Sequence, residues 1–461
     1  MRKGLYLIGL SILFLTLSAA LRSPDAPDFV EGEVLVRFSE GISSQAADLA
    51  LQEAGVEAVK VIPQLDLYQT VIRAEKSIQE VIDELEQQSN VLYAEPNYIY
   101  TTQVVPNDSR FSELWGLQNL GQSGGLSGAD IRAVGAWDLT TGSETVIVGV
   151  IDTGVDFTHD DLVMNIYTNP GEDAWANPDD PSSGNGEDDD GNGYVDDWKG
   201  WNFVNNTNNP YDDNMHGTHC AGTIGAMGNN SIGVVGVNWT VKLMPLKFLN
   251  SRGSGNSADA IDAIVYASDL GVDILSNSWG GGGFSQSMED AIQYANERDV
   301  LFVAAAGNDG TNNDAIPHYP SNYDVPNVVA VAASDHSDNR ALWGSGGGGG
   351  DDCGFVCSSA TAAAPGSNYG PTTVDIAAPG KNILSTVPGN GYSTLSGTSM
   401  ATPHLSGVVA LLLAVNPELT IAEQKNALFS TVDPLDDFTN LIVTEGRVNA
   451  QAAVQSVSPT P

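Results

Sequence analysis

Apolar and polar positions divide the chain into two regions of different rhythm. Between residues 30 and 100, short strands alternate with amphipathic helices. Glu33-Val34-Leu35-Val36-Arg37-Phe38 has the period of two of a half-buried strand. Ser43 to Ala54 predicts a helix stopped by Gly55. Tyr68 to Arg73 predicts another strand. Ser77 to Gln88 predicts a second helix, with Ile78, Val81, Ile82 and Leu85 on one face. Val91 to Tyr93 predicts a last strand, closed by Pro96. Read as two strand-helix-strand repeats, this is a small ferredoxin-like α+β domain with both helices on one face of its sheet.

Thr101 to Asp108 is polar, contains Pro106 and reads as an exposed linker. From about Phe111 the rhythm becomes that of a large α/β domain. Val146 to Ile151 is a continuous apolar strand of the buried, parallel type. Helices are predicted over Ala258–Ala267 and Ser287–Asn296, and strands over Asp273–Leu275, Val300–Ala306 and Val328–Ala333. Such alternation predicts a parallel sheet with helices on both faces, its active residues at the carboxyl ends of strands.

The first 20 residues read differently. Arg2 and Lys3 precede an apolar run from Leu5 to Leu17, and Ser18-Ala19-Ala20 offers small residues for cleavage. This predicts a secretory signal peptide, the run being short for a membrane span of about 20 residues. No other stretch reads as long and apolar enough to span. The expected layout is residues 1–20 as signal, 21–105 as an N-terminal segment folded over about 30–100, 106–455 as the large domain, and 456–461 as a short polar tail.

The 461 residues suit two or three domains, and 41% hydrophobic residues can bury a sizeable core. Lys and Arg total 18 against 58 Asp and Glu, a net charge of −40. Binding of nucleic acid or anionic lipid by bulk electrostatics is thereby excluded. The acidity reads as a solubility device for a salty or harsh exterior. Three cysteines are too few for a disulfide scaffold.

Three segments carry candidate chemistry. Asp152-Thr153-Gly154 follows the apolar strand, where a carboxylate could orient a histidine; an Asp opening a turn is the ordinary alternative. His216-Gly217-Thr218-His219-Cys220 places an imidazole suited to general-base work among small residues. A metal site of His216, His219 and Cys220 is the rival reading, but it lacks a carboxylate at the zincin spacing. Gly397-Thr398-Ser399-Met400-Ala401-Thr402-Pro403-His404 opens a buried helix, so Ser399 lies near free backbone N–H groups that can stabilise an oxyanion. A plain N-cap serine is the bland alternative.

Together, in the order Asp, His, Ser, these segments resemble the subtilisin-like serine proteases of the subtilase family. The likeness covers roughly Trp115 to Val454. It implies Ser399 as nucleophile, His216 as general base, and Asp152 as the carboxylate that fixes the imidazole tautomer. Asn308, in Ala304-Ala305-Ala306-Gly307-Asn308, resembles the oxyanion-hole asparagine. Ser278-Trp279-Gly280-Gly281 and Gly253-Ser254-Gly255 look like the strands that bind an extended peptide, so Gly253, Ser254, Gly255, Ser278, Trp279 and Gly280 are the expected substrate contacts. The small domain resembles the family's inhibitory propeptide, with processing expected between Tyr100 and Pro106. The resemblance thus implies a secreted, autoprocessed endopeptidase of broad specificity. Its expected partners are protein or peptide substrates and its own propeptide, with no nucleic acid and no stable membrane association; a monomer is expected. The alternative is a narrow-specificity processing subtilase.

Asp188-Asp189-Asp190-Gly191-Asn192-Gly193-Tyr194 matches the opening of an EF-hand-type loop. Asp188, Asp190 and Asn192 would supply side-chain oxygens, Tyr194 its carbonyl, and Asp196 or Asp197 the rest of the shell. Lys199 stands where the twelfth-position glutamate belongs, and no flanking helices are evident. Similar acidic inserts occur in calcium-binding subtilases, so structural Ca²⁺ is expected here. Asp212 and Asp213 are weaker candidates for a second site. Cys220 is expected to be a buried free thiol. Cys353 and Cys357 could close a small-loop disulfide beside the glycine run Gly346–Gly350, an expected surface loop.

Overall fold

The computed structural model describes residues 29–99, 104–343 and 365–458. The expected signal peptide, Cys353, Cys357, the Gly346–Gly350 run and residues 100–103 of the processing region lie outside them.

The chain forms two units, one ending at Thr102 and the other beginning at Gln103. The first contains β1 (Phe29–Phe38), α1 (Ser44–Ala54), β2 (Val56–Ile62), β3 (Leu67–Ile72), α2 (Ile78–Glu86) and β4 (Val91–Tyr98). The sheet order is β2-β3-β1-β4. Its core joins Val34, Val36 and Phe38 of β1 to Leu51 of α1 and Val81 and Leu85 of α2. Ser43 caps α1, and Gly55 closes it in a left-handed turn (φ 79°). Ser77 and Glu80 form a reciprocal capping box on α2.

Two expectations for this unit need correction. β2 has no counterpart in the sequence pattern, because four of its seven residues are exposed on an edge strand and show no burial period. Pro96 does not end β4; it pairs with Val34, and the strand runs on to Tyr98. An edge position tolerates proline because one side needs no N–H donor.

The second unit holds α3 (Ala133–Trp137), β5 (Gly142–Asp152), β6 (Trp201–Asn202), α4 (His216–Gly225), β7 (Thr240–Lys247), α5 (Ser257–Asp269), β8 (Ile274–Asn277), α6 (Gln286–Asn296), β9 (Leu301–Ala305), β10 (Val328–Ser334) and β11 (Ile376–Pro379). A hairpin of β12 (Ile383–Val387) and β13 (Gly391–Leu395) follows. After it come α7 (Thr398–Val415), α8 (Ile421–Phe429), β14 (Asp433–Pro434), β15 (Gly446–Arg447) and α9 (Ala450–Val457). Nine strands form one sheet in the order β14-β15-β11-β10-β9-β8-β5-β7-β6. All of its pairings are parallel except β14 with β15.

The sheet is mostly parallel and lies between helices, as the alternation of strands and helices in the sequence predicts. Val148 and Val150 of β5 face the core around α7, whereas Ile151 faces the core around α5 and α6. Burial on both faces explains why β5 is apolar without alternation. The strand order reverses at β5, whose neighbours are β7 and β8. A crevice at the carboxyl ends of the strands is expected at such a switch.

Two further readings change. α7 has 18 residues of mean hydropathy 1.5, long and apolar enough to cross a membrane, yet 89% of it is buried inside this unit. Ser456 and Val457 are the last turn of α9, not a tail.

Candidate functional site

Asp152 is the last residue of β5, and its backbone carbonyl accepts the N–H groups of Phe248 and Leu249 beyond β7. Its side chain is fully buried and bonds His216 Nδ1 through both oxygens, at 2.8 and 2.9 Å. His216 opens α4. That helix can approach because Gly217 has no side chain: a Cβ there would lie 2.1 Å from the Gly154 carbonyl oxygen.

Asp212 fixes the turn before α4. Its oxygens accept from Thr153 Oγ1, from Thr218 N–H and Oγ1, and from the Asn214 and Met215 N–H groups. Met215 is thereby held at φ 136°, a conformation costly for a residue with a side chain. Asp213 pairs with the buried Lys247 at 2.7 Å. Asp212 is thus taken up by the turn, whereas Asp213 keeps Oδ2 toward solvent, its side chain being 52% exposed.

Burial pushes the His216 imidazole toward neutrality, but the charge and hydrogen bond of Asp152 outweigh it, so its pKa lies above the ordinary 6.5. Cys220 is buried, and burial pushes its thiol well up. Its Sγ and the Asp152 and His216 ligand atoms lie within 4.8 Å of one another. With His216 Nδ1 committed to Asp152 and the thiol held protonated, these residues make a poor metal site.

Ser399 is the second residue of α7, where no earlier turn supplies an acceptor for its N–H. Its Oγ donates to the Ser278 carbonyl at 2.9 Å, and Ser278 Oγ donates back to the Ser399 carbonyl at 2.8 Å. The residue that would use that carbonyl inside the helix is Pro403, which has no N–H. Cys220 Sγ is a second, longer contact to it at 3.5 Å. Hydroxyl-to-imidazole bonds are often formed only on substrate binding.

Asn308 follows β9. Its Oδ1 accepts from Thr398 N–H at 2.9 Å and Oγ1 at 3.2 Å, which leaves Nδ2 as its donor. Ser278, Trp279 and Gly280 share a cleft of about 380 Å³ with Gly253, Ser254, Gly255 and His216. The Trp279 ring stands edge-to-face on Phe248 at 4.8 Å. Lys247 belongs to no sequence motif. Its buried ammonium holds the Thr153 and Leu249 carbonyls and so braces the turn after Asp152.

The acidic loop departs from the expected ligand set. Asp188 and Asp190 gather within 4.8 Å of Glu172, which no loop motif announced. Glu172 is 7% exposed; one oxygen accepts from the Asp189 and Asp190 N–H groups, and the other, Oε2, is buried without a partner. Burial raises its pKa. Asn192 stays beside the cluster, donating to Asp190 and Asp197. Asp197 is bonded by Asn169, Asn192 and Tyr266, and Asp196 turns to the Gly186 N–H; the Tyr194 hydroxyl bonds Asp262, which leaves its expected role through the backbone carbonyl untouched. A second orphan is Asp108 Oδ1, whose carboxyl pKa is raised by burial, with the charge of Asp161 adding to the effect.

Residues 143–453 match the family model described as the Subtilase family, and residues 17–97 match the one described as the Fervidolysin N-terminal prodomain. The chain is 33% identical to the thermophilic serine proteinase of Bacillus sp. strain AK1, over 92% of this chain and 88% of that protein. It is 34% identical to thermitase of Thermoactinomyces vulgaris, over 70% and 94% respectively. It is 33% identical to the extracellular protease of Xanthomonas campestris, over 91% and 72%. A solved protease from Pseudoalteromonas arctica superposes with a TM-score of 0.57 and 29% identity, covering 77% of this chain and all of that one.

Proposed function

Because the chain belongs to the subtilase family of serine peptidases and carries that family's kind of prodomain, we propose that it is a secreted endopeptidase, made as a precursor, that cleaves proteins through an acyl-enzyme on Ser399. The observation that supports this reading is the double contact of His216 with Asp152 at the sheet's switch point, with Cys220 of the same helix α4 reaching the Ser399 carbonyl and Asn308 bonded to the neighbouring Thr398.

In the proposed mechanism Ser399 Oγ attacks the scissile carbonyl while His216 Nε2 takes its proton. Asp152 holds the tautomer and stabilises the imidazolium. The Ser399 N–H and Asn308 Nδ2 receive the oxyanion; losing one such donor typically costs about 10²–10³ in turnover. Collapse expels the amine, which leaves with the proton from His216. Water then attacks the ester by the same route in reverse, freeing the acid and restoring Ser399. An extended substrate pairs with Gly253–Gly255 and Ser278–Gly280, so its backbone supplies much of the affinity. That supports broad specificity.

Residues 21–105 act as intramolecular inhibitor and folding aid until cleavage between Tyr100 and Pro106. Calcium is the cation that Glu172, Asp188 and Asp190 fit: hard carboxylate oxygens, one of them buried and unpaired. When bound it neutralises the cluster and fixes the loop.

The test compares the full precursor with Ser399→Ala. The wild type should shorten near residues 100–106 and digest a generic protein, and the variant should do neither. Equal activity of two folded proteins would remove Ser399 as nucleophile.

A further inference from the structure

β8 and β9 run side by side, Asn277 beside Ala304. Beyond their ends an imidazole ring stands between the two backbones. A Cβ built on Gly280 would come within 2.1 Å of His318 Cε1 and 2.8 Å of Nε2. A Cβ on Gly307 would come within 2.8 Å of Cδ2 and 3.0 Å of Nε2 of the same ring. At Gly280 the ring leaves no room for a side chain; at Gly307 the ring, Asn368 Nδ2 and a φ of 108° all exclude one.

The position of this wedge matters. An attacked carbonyl must lie between Ser399 Oγ and the Asn308 amide. Ser399 Oγ is bonded to Ser278, two residues before Gly280, and Gly307 directly precedes Asn308. The side chain of the attacked residue sits one bond from that carbonyl, so it must enter between Gly280 and Gly307. The open cleft lies on the Gly280 side: its walls include Trp279, Gly280, Met288, Tyr319 and Tyr323, but neither Gly307 nor Asn308.

The backbone that carries the ring is fixed. The His318 main-chain N–H donates to Asn322 Oδ1 at 2.9 Å, and its carbonyl accepts Ser321 Oγ at 2.8 Å; the ring itself has one long contact, Nδ1 with Ser321 Oγ at 3.5 Å. Asn322 reaches the Asn313 carbonyl, and the Asn313 side chain reaches the Ala306 carbonyl, beside Gly307. Burial lowers the His318 pKa, and the charge of Asp309 only partly offsets this, so the neutral ring is favoured.

We propose that His318 closes the space beside the nucleophile and confines cleavage to bonds that follow a small residue, Gly, Ala or Ser. This rests on the proteolytic reading above and narrows its broad specificity at one position, the residue before the cleaved bond.

The test uses processed enzyme and quenched peptides that differ only in the residue before the cleaved bond. Active sites are counted with a serine-directed phosphonate. The wild type should cleave after Ala at least about tenfold faster in kcat/KM than after Phe or Leu, the scale a pocket's shape can supply. His318→Gly should raise kcat/KM after Phe relative to Ala by about tenfold or more. A wild type that cuts equally well after Phe and Ala overturns the proposal, whatever the variant does. So does a phosphonate-reactive variant with unchanged preference. A wild type that neither labels nor cleaves any peptide removes the proteolytic reading itself, and this proposal with it.

Discussion

At His216 two effects oppose each other. Burial favours the neutral ring, and the Asp152 charge and hydrogen bond favour the charged one; the second pair wins. A general base works only when neutral, so kcat/KM should rise with pH through an apparent pKa above 6.5. Asp152→Asn removes the charge and leaves the burial. Its limb should move below that of the wild type, while turnover falls by about 10⁴. A pH–rate profile of both proteins checks this, and a limb that stays in place would show that Asp152 is not setting the proton. The stability consequence has a definite sign. A raised folded-state pKa adds stability below the unfolded value, and that addition is lost as pH rises through the folded value. Activity therefore grows over the range in which this pair ceases to support the fold. His219 and His404 behave oppositely: burial lowers them to about 3 and about 4, so below pH 6.5 the unfolded chain takes up protons that the folded chain refuses.

Among elements, the junction of α7 with the chain after β8 carries Ser399, the proposed nucleophile. Its logic is one missing donor: Pro403 cannot use the Ser399 carbonyl, and Ser278 Oγ does so instead. Ser278→Ala should cost about 1–3 kcal/mol, because a buried acceptor loses its main partner. Adding Pro403→Ala returns a helical N–H to that carbonyl and should recover a large part of the loss. Thermal unfolding of the four combinations, in a Ser399→Ala background to prevent self-digestion, measures the coupling. Strict additivity would mean that the serine pair and the proline are unrelated. The sequence made α7 and its leading serine legible, since a long apolar run after small residues has few other readings. Neither the Ser278 contact nor the role of Pro403 could be read, because both depend on which strand ends beside which helix. β7 is hidden in the sequence for a related reason. Lys242, Pro245 and Lys247 break its apolar run, yet Lys247 is buried on three oxygens, and the outer neighbour β6 covers only Leu246 and Lys247. Asp152, His216, Ser399 and Asn308 were legible because each lies in a short motif. Glu172, Lys247 and His318 belong to no motif and acquire meaning only through partners distant in sequence.

For the whole molecule the dominant fact is a net charge of −40, which a folded chain must hold against its own repulsion. Most acidic groups meet water, but Glu172 is buried with one oxygen unpaired, beside Asp188 and Asp190. An arrangement of that kind is costly without a cation and favourable with one. If calcium binds there, stability should rise by about 4 kcal/mol when its concentration is a thousandfold above Kd. For a unit of this size that corresponds to a Tm increase of roughly five to six degrees. Other carboxylates, such as Asp108, could also respond to calcium, so a rise in Tm alone does not locate the ion. Glu172→Gln does. It removes a buried charge, so in chelator the variant should unfold at the same or a higher temperature than its Ser399→Ala parent. It also removes a ligand, so in calcium it should unfold at a lower temperature than that parent. The two Tm curves against calcium concentration must therefore cross. Curves that stay parallel would mean that calcium, if bound, is held elsewhere, and that Glu172 is only a buried acid whose pKa burial raises.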